Sequence, residues 1–167
     1  MTFPRMASFK THAAFTRHLN NLQLTLPCAE LVENGPESPL AQTIHVHDLK
    51  IGNRFCILPM EGWDGTADGK PSELTRRRWQ NFGRSGAKLI WGGEAVAVRH
   101  DGRANPNQMV INVENLPEIG SLRAELVATH EAEFSTAADL VMGLQLTHAG
   151  RFAKPDSHDR MQPRTAP

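Results

Sequence analysis

Three short, almost wholly apolar runs punctuate the chain: Phe55-Cys56-Ile57-Leu58, Ala87-Lys88-Leu89-Ile90-Trp91 and Leu140-Val141-Met142-Gly143-Leu144-Gln145-Leu146. Runs of this length suit parallel strands buried on both faces. The segments between them read as helices. Pro71-Ser72-Glu73 opens the first, with Ser72 as N-cap, Leu74, Trp79 and Phe82 on one broad face, and Gly86 as the stop. The second covers roughly residues 114–133, with Leu116, Ile119, Leu122 and Leu126 on one face, Asn115 as cap and Pro117 tolerated in the first turn. Strand, helix, strand, helix, strand is the alternation of a parallel α/β protein.

Upstream, residues 43–47 and 49–51 alternate around His47-Asp48 and predict a β-hairpin. Residues 1–42 read as an extension and linker, with a loose helical pattern from Phe9 to Leu24 ended by Thr25-Leu26-Pro27. The body is then residues 43–167. From Arg151 the chain is polar and contains proline, with no further strand.

Composition excludes several function classes. Eighteen Lys and Arg balance eighteen Asp and Glu, so bulk charge draws the chain to neither nucleic acid nor an anionic membrane. No apolar run approaches the roughly 20 residues that span a bilayer, and the N-terminus has no hydrophobic signal core. Cys28 and Cys56 form no framework and read as free thiols in a reducing cytoplasm. His45 and His47 share a strand face, but without a Cys or carboxylate cluster they predict an exposed hairpin rather than a metal site. Arg76-Arg77-Arg78 reads as a solvated helix face. There is no Gly-x-Gly-x-x-Gly and no P-loop.

Chemistry in parallel α/β folds gathers beyond the carboxyl ends of the strands. Three such ends are legible: Pro59-Met60-Glu61, Gly93-Glu94-Ala95 and the segment from Gln145 to Arg151. Small residues at Gly92, Gly93 and Ala95 leave room for a flat ligand. Gln145 is an amide on an otherwise apolar strand. Leaving it buried and unpaired costs about 1–3 kcal/mol, so it must bond a neighbouring strand or a ligand.

These motifs resemble the Old Yellow Enzyme family of FMN-dependent ene-reductases and NADH:flavin oxidoreductases, which are TIM barrels. Residues 53–60 are similar to its first barrel strand. Residues 86–98, extended by Gly102-Arg103, are similar to its second. Gln145-Leu146-Thr147-His148-Ala149-Gly150-Arg151 resembles its third-strand motif Gln-Leu-x-His-x-Gly-Arg. The likeness covers about residues 43–167, with the hairpin where such barrels carry a plug.

The resemblance implies that Pro59 and Met60 lie against a flavin ring and that Ala95 meets its edge through the backbone. Gln145 would hydrogen-bond the pyrimidine portion, and Trp63 and His148 would face a small-molecule substrate. FMN is the implied cofactor and NAD(P)H the implied reductant. The resemblance also puts Glu61 among the cofactor-binding residues, at the position that hydrogen-bonds the flavin and tunes its potential. It departs from the family's usual Thr or Cys there, so it is protonated by burial, turned to solvent or a cation, or in contact with substrate.

A complete barrel needs about 250 residues, and this chain has 167. The implied architecture is therefore the N-terminal part of a TIM barrel, about three β/α units. The substrate-holding pair and the phosphate loops belong to later strands, so no catalytic residue is assigned. Two functions remain open: an FMN oxidoreductase represented by its N-terminal portion, or a non-catalytic remnant or assembly half. In the second case the open sheet edge would pair with a complementary chain or with itself.

Overall fold

A computed structural model describes residues 3–164, which form two compact units, one up to Ser38 and one from Pro39 onward. The first unit contains α1, His12–Asn21. Thr11 caps it by accepting from the Ala14 N–H at 3.1 Å, and Leu22 closes it. The helix is thus shorter than the Phe9–Leu24 pattern suggests: Phe9 lies outside it, its ring 5.6 Å from Phe15 and 4.8 Å from His18.

The second unit begins with β1 (Ile44–Val46) and β2 (Leu49–Ile51), an antiparallel hairpin that turns through His47 at φ 51°. Both hairpin histidines are exposed. Then follow β3 (Cys56–Ile57), α2 (Glu73–Arg84), β4 (Leu89–Ala97), α3 (Leu116–Phe134) and β5 (Val141–Thr147). The three-stranded sheet is parallel, in the order β3-β4-β5. This is the predicted α/β order, an arc of β/α units as in a TIM barrel.

Both helices cover one face of this sheet. Trp79, Ile90, Val96, Met109, Ile119, Leu122 and Leu126 form the buried core, with Ile57, Met142 and Leu144 packed against it. The alternating residues Leu58, Trp91 and Gln145 lie on the other face and are exposed. The apolar runs predicted strands buried on both faces; in this chain one face is open.

Helix α2 starts as expected. Ser72 accepts from the N–H groups of Leu74 and Thr75, and the Thr75 hydroxyl accepts from the Ser72 N–H, a reciprocal capping box. The inward stripe is Thr75, Trp79 and Gly83, so Leu74, one position off it, is 53 % exposed. Gly83 brings α2 against α3: a Cβ there would sit 2.7 Å from the Leu126 carbonyl. Leu116 of α3 is likewise exposed rather than core.

The expected solvated arginine face is mostly engaged. Arg76 bonds Glu118 at 2.7 Å and also Glu125, both on α3, while Arg78 turns into the sheet end; only Arg77 is exposed. Asn115 stands at the N-cap of α3 but does not cap it, because its backbone is already helical. Its amide instead donates to the carbonyls of Asp68 and Val110, joining two loops.

Candidate functional site

The carboxyl end of β4 organises the site. The sequence places a strand end near Gly92; the strand instead runs on to Ala97, with a register shift against β5 between Trp91 and Ala95. Gly92 makes the bulge possible. Its φ is +60°, and a Cβ would lie 2.7 Å from the Gln145 backbone nitrogen and 3.2 Å from the Pro59 Cβ. The small residue therefore admits the neighbouring strand and Pro59 rather than opening space for a flat ligand.

Beyond the bulge, Ala95 aligns with Gln145 across the β4–β5 pairing. The Ala95 N–H donates to the Met60 carbonyl at 3.1 Å, which binds the segment after β3 onto β4. The Ala95 carbonyl accepts from Gln108 Nε2 at 2.7 Å. Gln108 is fully buried; it also donates to Thr147 Oγ1 at 3.1 Å, and its Oε1 accepts from the Ala104 N–H at 2.7 Å. One amide thus joins β4, β5 and the loop between β4 and α3. Arg103, 1 % exposed, pins the same loop by donating to the carbonyls of Ala67, Pro106 and Pro155.

On the β3 side lies an ion network. Glu94 is fully buried within β4. Its carboxylate accepts from the Gly62 N–H and, at 2.5 Å, from Arg78 Nη2. Arg78 also grips Asp64 with Nε at 3.0 Å and Nη2 at 2.8 Å. Burial pushes the Glu94 carboxyl up, with Arg78 opposing. At Asp64 burial pushes up as well, but the Arg78 hydrogen bonds and charge, with the Thr75 hydroxyl, outweigh it and hold the carboxyl below its ordinary value.

The expected site residues fall into three groups. Pro59, Met60, Ala95 and Gln145 come together at the sheet end. Met60 is 74 % exposed and Ala95 3 %. Gln145 is exposed and its side chain makes no hydrogen bond among the described residues, so its sequence-based picture as a buried amide is corrected: the face that would bury it is open. Glu61 and Trp63 share a cleft with Leu58, Met60, Arg78 and Phe82. Desolvation by its walls raises the Glu61 carboxyl. Trp63 is 61 % exposed and stacks on His158, centroids 5.1 Å apart. His148 is exposed in the loop after β5, where Nδ1 accepts from the Gly150 N–H at 3.0 Å and the ring fills the space beside Gly102.

From the sequence Arg78 reads only as solvated, Arg103 only as part of the second-strand likeness, and Gln108 is not singled out at all. For Arg78 the available signal was the carboxylate at the strand end, Glu94, because a buried charge requires a partner.

The parallel strand order, the helices on one face and the convergence of polar groups at the carboxyl ends define the N-terminal arc of a (β/α)₈ barrel. Solved structures with this fold include the old yellow enzyme from Trypanosoma cruzi, at 22 % identity and TM-score 0.53, covering 69 % of this chain and 28 % of that one. The old yellow enzyme homologue from Zymomonas mobilis aligns at 18 % identity and TM-score 0.55 over 75 % of this chain and 38 % of its own. Morphinone reductase in complex with tetrahydroNAD aligns at 20 % identity and TM-score 0.52, over 70 % and 29 % respectively. The chain thus spans well under half the length of these structures. No protein-family model and no curated protein sequence matches it. No helix among the described residues is long and apolar enough to cross a membrane.

Proposed function

We propose that this chain is the N-terminal part of an FMN-binding oxidoreductase that passes electrons from NAD(P)H through flavin to a small organic acceptor. The observation that carries the reading is Gln145: an unpaired amide at a strand end, in register with Ala95, beside the Pro59-Met60 segment. An amide supplies a donor and an acceptor together, which is what the pyrimidine edge of an isoalloxazine requires. When bound, FMN would supply two-electron hydride chemistry.

This chain's residues have narrower tasks. Gln145 orients the ring edge. Pro59 and Met60 form an apolar bed. Gln108 and the Gly92 bulge keep Ala95 and Gln145 in register. The Ala95 N–H is committed to Met60, so of its backbone groups only the carbonyl's second lone pair is left for a ligand. Trp63 and His148 are the proposed substrate contacts. The donor set fits the ring and not the phosphate, since phosphate-holding loops belong to later strands of such barrels. The exposed, unpaired thiols of Cys28 and Cys56 suit a reducing compartment, the cytoplasm.

A second reading, an assembly half that is not itself catalytic, is favoured by the open sheet face and by the outer edges of β3 and β5, which no strand among the described residues covers. Co-expression with a polypeptide carrying the remaining barrel strands, followed by a flavin absorbance scan, separates the two. Recovered flavin and NAD(P)H oxidation, both lowered by Gln145→Leu, support the oxidoreductase. An assembled complex without flavin supports the second reading.

A further inference from the structure

Loop 61–65 is locked at its second residue. The Gly62 N–H donates to Glu94, and its carbonyl accepts from Asn105 Nδ2 at 3.3 Å. A side chain there would displace the ion network: a Cβ would lie 2.5 Å from the Arg78 guanidinium and 2.7 Å from the carboxylates of Asp64 and Glu94. Gly65 is held in turn by Asn107, through two bonds of 2.9 and 3.0 Å. Two residues flank the locked Gly62 in sequence. Those residues are Glu61 and Trp63, both exposed, both lining the cleft formed with Leu58, Met60 and Phe82.

The cleft has a definite chemistry. Glu61 makes no hydrogen bond or ion pair among the described residues. Its charged neighbours are Asp64 and Arg78, which are bound to each other, with the Glu94 carboxylate behind them. Among the side chains lining the cleft, two carboxylates thus stand against one guanidinium. The His158 ring stacks on Trp63, and the Lys154 ammonium donates to the His158 carbonyl; neither residue lines the cleft. Such a cleft repels carboxylates and phosphates. An unpaired carboxylate beside an aromatic ring attracts a cation, through charge at Glu61 and through the ring quadrupole at Trp63. The apolar walls suit a flat hydrocarbon body.

We infer that the cleft formed by Glu61, Trp63, Leu58, Met60 and Phe82 binds an organic cation, an amine carrying an aromatic or aliphatic body. Glu61 pairs with the ammonium and Trp63 covers the body. That this cation is a substrate rests on the flavin reading; that the cleft holds one does not.

The test uses the 167-residue chain without flavin, labelled with 5-fluorotryptophan so that Trp63, Trp79 and Trp91 report separately. Benzylammonium, benzyl alcohol and benzoate are titrated in turn. The expected result is a shift of the Trp63 resonance, with benzylammonium binding about tenfold more tightly than benzyl alcohol and benzoate not binding. Glu61→Gln should bring the amine and the alcohol within about twofold of each other while the buried Trp79 resonance stays in place. Equal binding of amine and alcohol, selectivity that survives Glu61→Gln, or a Trp63 resonance that does not move would each overturn the inference. Flavin titration of the same sample is a separate readout, so its failure counts against the oxidoreductase and not against the cleft.

Discussion

Single residues decide more at this sheet end than composition suggests. Gly92 combines a left-handed backbone with contact against the next strand, so Gly92→Ala strains the backbone by about 1–2 kcal/mol and displaces β5 as well. Gly120, exposed on α3 with nothing near its Cβ position, is the matched control. Gly120→Ala is expected to stabilise by about 0.5–1 kcal/mol. Urea midpoints moving in opposite directions would bear this out. Arg78→Met strands a fully buried Glu94, an expected loss of about 3–5 kcal/mol in the same assay. Asp64 sets a pH dependence. Its carboxyl lies below its ordinary value in the fold, so it binds fewer protons there than in the unfolded chain at acid pH. The stability it contributes is complete above the unfolded carboxylate range and is lost as pH falls through the folded value. Wild-type stability should therefore drop on acidification, and Asp64→Asn should flatten that drop; thermal melts from pH 7 to pH 3 measure it. Glu61 and Glu94, both raised, work in the opposite direction and will not supply the acid loss.

Elements were legible where their signals are local. The Ser72 cap, the hairpin turn and the positions of β3, β4 and β5 follow from neighbouring residues and period alone. Ser72→Ala removes an acceptor for two N–H groups and also a donor to the Asp64 carbonyl, and should cost about 1 kcal/mol by urea denaturation. The errors of assignment are also local in origin. Leu74 and Leu116 sit at helix starts where periodicity alone admits them to the apolar face, but the packed stripes begin one residue later for α2 and three later for α3. Gly92 reads as the end of a strand because glycine breaks regular patterns, yet here it carries a bulge that lets β4 continue to Ala97. Arg76 and Arg78 read as solvated because their acidic partners lie on other elements.

At the scale of the molecule, one sheet face is packed and the other open. Trp91 lies over Gly143 on that open face, 55 % exposed, and among the described residues no strand pairs with the outer edge of β3 or β5. Such edges template pairing with other chains. The 167-residue chain alone is expected to self-associate with rising concentration and to take up FMN weakly. Sedimentation velocity and flavin fluorescence would show this; a stable yellow monomer would contradict it.

The order of elements, the Ser72 cap and the three strand-end motifs were determined by the sequence alone, because helix and strand periodicity and capping depend on residues a few positions apart. The working arrangement of the site was decided by tertiary structure. Glu94 meets Arg78 sixteen residues away, Gly62 meets Asn105 forty-three away, and Arg103 reaches Pro155 fifty-two away. No local pattern encodes those meetings. They follow from burial: once β4 encloses a carboxylate, desolvation makes an unpaired charge intolerable, and the packing of α2 against the sheet supplies the cation that answers it.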